Sequence, residues 1–110
     1  MVLKFRKENK DIFDAILNGV KKIETRAGTA KYEKVKVRES IVFSCGKERF
    51  KKKVLSVEKF KTIEALVKKY KPLTINPNCK TLKELTAMYM SFPNYKEKIK
   101  KYGLLAFELE

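Results

Sequence analysis

Gly19-Val20-Lys21-Lys22-Ile23-Glu24-Thr25-Arg26 marks the point where the chain changes period, from helical spacing before it to alternation after it. Before it, Ile12, Phe13, Ile16 and Leu17 recur at three- and four-residue spacing, which predicts a helix over Glu8 to Asn18. Asn18-Gly19 ends that helix, because glycine takes the left-handed conformation at least cost. Lys22 to Arg26 then reads as a short strand, in which Glu24 and Arg26 project from the same side. An alternating segment, Val2 to Arg6, predicts a first strand with Val2, Leu3 and Phe5 as its apolar contacts.

Downstream of Arg26, Ala27 to Ala30 reads as a loop and Lys31 to Arg38 as a basic connection or short strand. Ser40 to Ser44 predicts a buried strand, Cys45-Gly46-Lys47 a turn, and Glu48 to Phe60 a long strand with Val54, Leu55, Val57 and Phe60 apolar. Thr62 caps a helix carrying Ile63, Leu66, Val67 and Tyr70, stopped by Pro72. Lys71 to Lys80 is an irregular loop. Thr81-Leu-Lys-Glu84 carries a capping-box pattern and opens a helix with Leu82, Leu85, Met88 and Tyr89. A short basic helix follows Pro93-Asn94, and Gly103 releases a last strand, Leu104 to Leu109. Strands in both halves with helices between them, and no regular βαβ repeat, predict an α+β fold. One domain over 1–110 is expected at this length.

The 27 basic and 13 acidic residues leave a formal charge of +14, with no histidine. Thermal adaptation enriches lysine together with glutamate, whereas this excess is uncompensated. A field of that sign draws polyanions, so nucleic acid is the expected partner. A membrane is not expected, since no run of 18 apolar residues occurs and the first residues form no signal peptide. Cys45 and Cys79 lie far apart without a Cys-x-x-Cys pair, so no metal or other cofactor is expected. Two reduced thiols and no secretion signal fit a cytoplasmic protein, taken as a monomer.

The eight residues at the period change fit Gly-x-Lys-x-x-Glu-x-Arg, which resembles the signature of the ASCH domain family of the PUA-like superfamily. Ser40-Ile-Val-Phe43, Phe60-Lys-Thr-Ile-Glu64 and Tyr102-Gly-Leu-Leu-Ala106 resemble later segments of that family in the same order. The resemblance implies a small PUA-like mixed β-barrel or sheet flanked by helices, and binding of single-stranded or modified RNA. Many members carry Gly-Asp before the core strand; here Arg38-Glu39 stands there, so a remodelled turn is expected.

The residues themselves support a binding role. A carboxylate held by a guanidinium still accepts a hydrogen bond from a base edge or sugar, and Arg26 offers a planar fork. Lys21, Glu24 and Arg26 therefore make a candidate site for one splayed nucleotide. The alternative for Glu24 and Arg26 is a solvated ion pair beside a helix stop. A second candidate is electrostatic: Lys47, Arg49, Lys51, Lys52 and Lys53 belong to nine basic residues between Lys31 and Lys53, against Glu33, Glu39 and Glu48. Tyr32 and Phe50 are interleaved among them, Phe50 being assigned to the core. Lys96 to Lys101 reads as an ordinary amphipathic helix surface.

Catalysis is the competing function. Some small ASCH proteins are amidohydrolases of acetylated cytidine that use a lysine and a threonine of the signature and a later glutamate. Lys21 matches the lysine, but Glu24 stands in the threonine's place and Asn76-Pro-Asn-Cys79 contains no glutamate. A ribonuclease would rely on Lys21, Glu24 or a tyrosine for proton transfer.

Overall fold

The computed structural model describes residues 1–110. Five strands form one mixed sheet: β1 (Val2–Phe5), β2 (Ile23–Ala27), β3 (Ser40–Cys45), β4 (Glu48–Phe60) and β5 (Leu104–Leu109). Its order is β1-β3-β4-β5-β2; β1 runs parallel to β3, and the other neighbours are antiparallel. Six α-helices flank it: α1 (Lys10–Leu17), α2 (Ala30–Glu33), α3 (Ile63–Lys69), α4 (Pro72–Ile75), α5 (Leu82–Met90) and α6 (Tyr95–Tyr102). The fold is α+β, a small PUA-like half-barrel, as the sequence leads one to expect.

The 13-residue strand β4 makes the curl. Glu48 to Lys53 pair with β3, and from Val54 onward the strand pairs with β5. An irregularity between Val54 and Ser56 separates the two halves and leaves Leu55 exposed. An extra residue on one strand bends it and increases twist, so the sheet closes on itself instead of spreading flat. Residues of the two edge strands β1 and β2 thereby come to line common cavities.

Both faces of β5 are buried, which explains its unbroken apolar run. Leu105, Phe107 and Leu109 join Phe13, Ile16, Ile41, Phe43 and Val54 inside the curl. Leu104 and Ala106 face the other way, toward Ile63, Leu66, Leu85, Tyr89 and Ile99 of the flanking helices. Phe50 packs against the inner cluster, stacked on Phe43 with centroids 5.2 Å apart, in keeping with its core assignment.

Several expectations are corrected. In β1 the inward residues are Leu3 and Phe5, and Val2 is exposed, because alternation allows only one set to face α1. Lys31 to Arg38 forms no strand; its first residues complete the helical turn α2, led by an extended Thr29. The segment Lys71 to Lys80 contains the helical turn α4, with Pro72 at its first position, where proline's missing N–H costs nothing. Leu17 and Leu82 are exposed, at the margins of their helices' apolar faces. The turn at Arg38-Glu39 is not remodelled away from glycine geometry: Arg38 itself adopts φ +77°. Its amide donates to the Val54 carbonyl (2.8 Å), and the Val54 amide donates to that of Glu39 (2.8 Å), which holds the turn against β4.

Candidate nucleotide site

Gly19 sets the position of the site. At φ +78° it turns the chain back so that the amides of Val20 and Lys21 both donate to the Ala15 carbonyl, at 2.9 and 3.0 Å. Lys21 is thereby carried under the end of α1 and into the protein, where it is buried. Its ammonium donates to the carbonyls of Ile23 and Ile75, tying β2 to α4. The Glu24 carboxylate lies 3.9 Å away. Burial pulls the Lys21 pKa below its ordinary value, Arg26 adds to that, and Glu24 opposes it.

Glu24 and Arg26 lie on the same side of β2, opposite Phe107 and Leu105 of β5. Glu24 is 5% exposed, so its charge has little water to solvate it. Arg26 Nε stands 3.3 Å from Glu24 Oε1 without a well-aligned hydrogen bond, and Glu24 Oε2 also lacks one. Burial pulls the Arg26 pKa down, but Glu24, Tyr32 and Tyr95 more than offset it, leaving the guanidinium above its ordinary value. Glu24 is buried, Arg26 is half-buried with 28% of its side chain exposed, and both are short of hydrogen-bond partners. Such a pair has donors and acceptors left for a third body.

A cavity of about 780 Å³ opens beside it, with Lys21, Glu24 and Arg26 on its wall. Lys4 and Arg6 of the β1 edge form one lip. Asp11, also on the lining, accepts a 3.0 Å hydrogen bond from the Asn78 side chain and ties α1 to the α4–α5 loop there. The aromatic wall comes from the α5–α6 junction. Tyr89 and Tyr95 lie parallel, centroids 6.1 Å apart, and Phe92 stands edge-on to both. Phe92 is 41% exposed, a large apolar ring presented to the cavity mouth. The Tyr95 hydroxyl accepts from the Ala27 amide (3.2 Å), so its own proton is free to donate.

The structure brings Lys21, Glu24 and Arg26 together around one hollow. Lys47, Arg49, Lys51, Lys52 and Lys53 line neither cavity of the curl. Arg49, Lys51 and Lys53 instead project from the outer face of the sheet, exposed and without carboxylate partners. In the strand register Arg49 aligns through Ser44 with Lys4, so this face meets the cavity lip at Lys4. Lys52 lies on the Phe50 side of β4 and is half-buried. The residues that sequence reasoning missed are Lys4, Arg6, Phe92, Tyr95 and Lys98. Three aromatics within seven residues, Tyr89 to Tyr95, interrupted by Pro93-Asn94, were the available signal for the aromatic wall.

No group of acidic, cysteine or histidine side chains is arranged to hold a metal ion. No helix is long and apolar enough to cross a membrane.

No protein-family model matches this chain, and no curated protein matches it significantly. Among the solved structures that match are two that share its fold over its whole length. The crystal structure of hypothetical protein PH0355 is 29% identical with a TM-score of 0.82, the match covering 100% of this chain and 98% of that one. The solution NMR structure of protein PF0455 from Pyrococcus furiosus is 27% identical with a TM-score of 0.78, covering 100% and 96%. The chain is thus similar to these compact hypothetical proteins in a half-barrel architecture compatible with the PUA-like fold.

Proposed function

We propose that this chain is an ASCH-type RNA-binding protein that takes one single-stranded or modified nucleotide into the cavity beside Glu24 and Arg26. The observation that carries the reading is the under-bonded pair of buried Glu24 and half-buried Arg26 on a cavity wall that also presents aromatic rings. A base has a π-face for Phe92 or Tyr95 and polar edges for Glu24, Arg26 and Lys21, and unstacked bases are read in this way. The outer row Arg49, Lys51 and Lys53, with Lys47 and Lys52 nearby, follows the phosphate backbone beyond the cavity. The proposal is of a monomeric, cytoplasmic, single-domain protein whose partner is RNA or a nucleotide, with no metal and no membrane.

The test is fluorescence anisotropy with labelled single-stranded RNA over a range of salt. Affinity falls by about 0.7 log units per log unit of salt for each phosphate contacted. Arg26→Ala weakens binding at every salt concentration. Absent or salt-insensitive binding across several RNAs refutes the reading.

A hydrolase of RNA or of a modified nucleoside is the second reading. Lys21 favours it, as a buried amine of lowered pKa on the cavity wall beside a carboxylate. Its engagement with two backbone carbonyls favours a positioning role instead. Release of acetate from acetylated cytidine, or cleavage of RNA, that is lost in Lys21→Ala decides for the hydrolase.

A further inference from the structure

The curl of the sheet leaves a seam between its two edge strands, and the seam holds a second cavity of about 390 Å³. Six residues line it: Val2, Leu3, Lys4, Arg26, Lys31 and Tyr32. Three are cations and none is acidic. They come from three separate segments, β1, β2 and α2, so no local charge run accounts for their meeting.

Neither Lys4 nor Lys31 is paired with a carboxylate. Glu33, the acid nearest Lys31 in sequence, is already held by Lys59 at 2.6 Å. The one carboxylate near Arg26 is Glu24, which meets it on the side of the larger cavity. Tyr32 gathers the charges further: the Arg26 guanidinium lies 5.8 Å and the Lys31 ammonium 5.4 Å from its ring centroid. A ring face attracts each cation, but weakly at an exposed site. Cations that share one hollow repel one another, and an anion placed among them removes that cost. Lys4 and Arg26 also line the larger cavity, so the two hollows share a wall.

We propose that the seam between β1 and β2 is a phosphate-binding site, in which Lys4, Arg26 and Lys31 hold the phosphate oxygens of a ligand whose base lies in the larger cavity. Arg26 matches phosphate with its planar fork, and the two lysines act as point charges. The base half of this statement rests on the proposed nucleotide reading; the phosphate half stands on the seam alone. The ligand is then a phosphorylated nucleotide and not a free nucleoside. Its phosphate is either a terminal monophosphate or the diester linking two nucleotides of a strand.

Inorganic phosphate titrated into the folded, nitrogen-15-labelled protein at low salt tests the site directly. Amide shifts concentrated at Val2 to Lys4 and Arg26 to Tyr32 support it, provided that they vanish in the double variant Lys4→Ala/Lys31→Ala. Both lysines are exposed, so the fold tolerates their loss. Shifts scattered over the surface, or retained in the double variant, overturn it. A nucleoside, its 5′- and 3′-monophosphates and a dinucleotide are then compared by calorimetry. At least a 10-fold gain over the nucleoside is expected, and the gain disappears in the double variant. A gain with a monophosphate identifies a terminal phosphate; a gain confined to the dinucleotide identifies an internal diester. Equal binding of all four ligands overturns the proposal. A seam that responds to phosphate in a protein that binds no RNA refutes the nucleotide reading alone. RNA binding with an unresponsive seam refutes the phosphate site alone.

Discussion

The hydroxyl of Thr25 on β2 and the phenol of Tyr89 on α5 are hydrogen-bonded to each other inside the protein, 64 residues apart in sequence. This contact fixes the aromatic wall of the cavity against the strand that carries Glu24 and Arg26. Tyr89→Phe strands the Thr25 hydroxyl in a buried setting and costs about 1–3 kcal/mol. Replacing both residues, with Thr25→Val, removes donor and acceptor together, so the double variant loses less than the sum of the singles. Thermal or urea unfolding of the four proteins measures this coupling.

Alkaline stability follows from the same tyrosine. Burial holds the Tyr89 phenol well above its ordinary value of 10.0, with the Thr25 hydrogen bond opposing and Glu24 assisting. The unfolded chain releases its proton first, so the stability Tyr89 supplies is complete below pH 10 and is lost as pH rises beyond it. Lys21 has the opposite sign. Its pKa is lowered from 10.5, so in the window below 10.5 the unfolded chain binds more protons and stability increases with pH. Urea midpoints measured against pH show the alkaline fall reduced in Tyr89→Phe and the preceding rise reduced in Lys21→Met.

Arg38 occupies a left-handed conformation, φ +77°, and its side chain makes no ion pair. A residue with a Cβ bears about 1–2 kcal/mol there. Glycine relieves that and loses about 0.4–1 kcal/mol through the entropy of the unfolded chain. Arg38→Gly is therefore expected to stabilise the protein by about 0.5–1 kcal/mol, read as a higher urea midpoint with an unchanged slope.

Gly103 sits under two constraints, φ +73° and a Cβ position only 2.7 Å from the Phe60 carbonyl oxygen. Gly46, at φ +60°, has open space around it. Gly46→Ala is expected to cost about 1–2 kcal/mol. Gly103→Ala costs more, because the backbone of β5 or β4 must shift to admit the methyl group. A melting comparison of the two variants checks the ranking.

The outer row of the sheet makes a prediction separable from the cavity. Arg49→Ala, Lys51→Ala and Lys53→Ala each lower the salt slope of RNA binding by about 0.7 if each meets one phosphate. Phe92→Ala leaves the slope unchanged and weakens binding by about 1–3 kcal/mol through lost stacking. Anisotropy over a range of salt distinguishes the two effects.

The sequence made the elements near Gly19 legible because period and turn chemistry agree there: a 3.6-residue pattern, a glycine at φ +78°, then alternation. The caps at Thr62 and Thr81 were equally readable, and both side chains accept from the amide three residues on. The convergence of Lys21, Glu24 and Arg26 was readable in part, since alternation places the last two on one side. What α5 and α6 would bring to the cavity was not. Phe92 and Tyr95 sit after the periodic part of α5, where pattern gives no face, and their position depends on Asn94 taking φ +61°. The seam was equally hidden: Lys4 and Arg26 meet only because β4 bends at Leu55, and an irregularity of one residue leaves no signature in composition or period.

The place of β5 in the sheet dictates the order in which the molecule can be completed. Strand β2 has β5 as its sole hydrogen-bonded neighbour, although 85 positions separate Ile23 from its cross-strand partner Glu108. A ribosome that has not yet translated residues 104 to 109 therefore leaves β2 unpaired, however well the β3–β4 hairpin has already formed. Contacts of such long loop closure are late and slow to form. The acidic and basic groups of the cavity wall are consequently among the last parts of the polypeptide to find their neighbours.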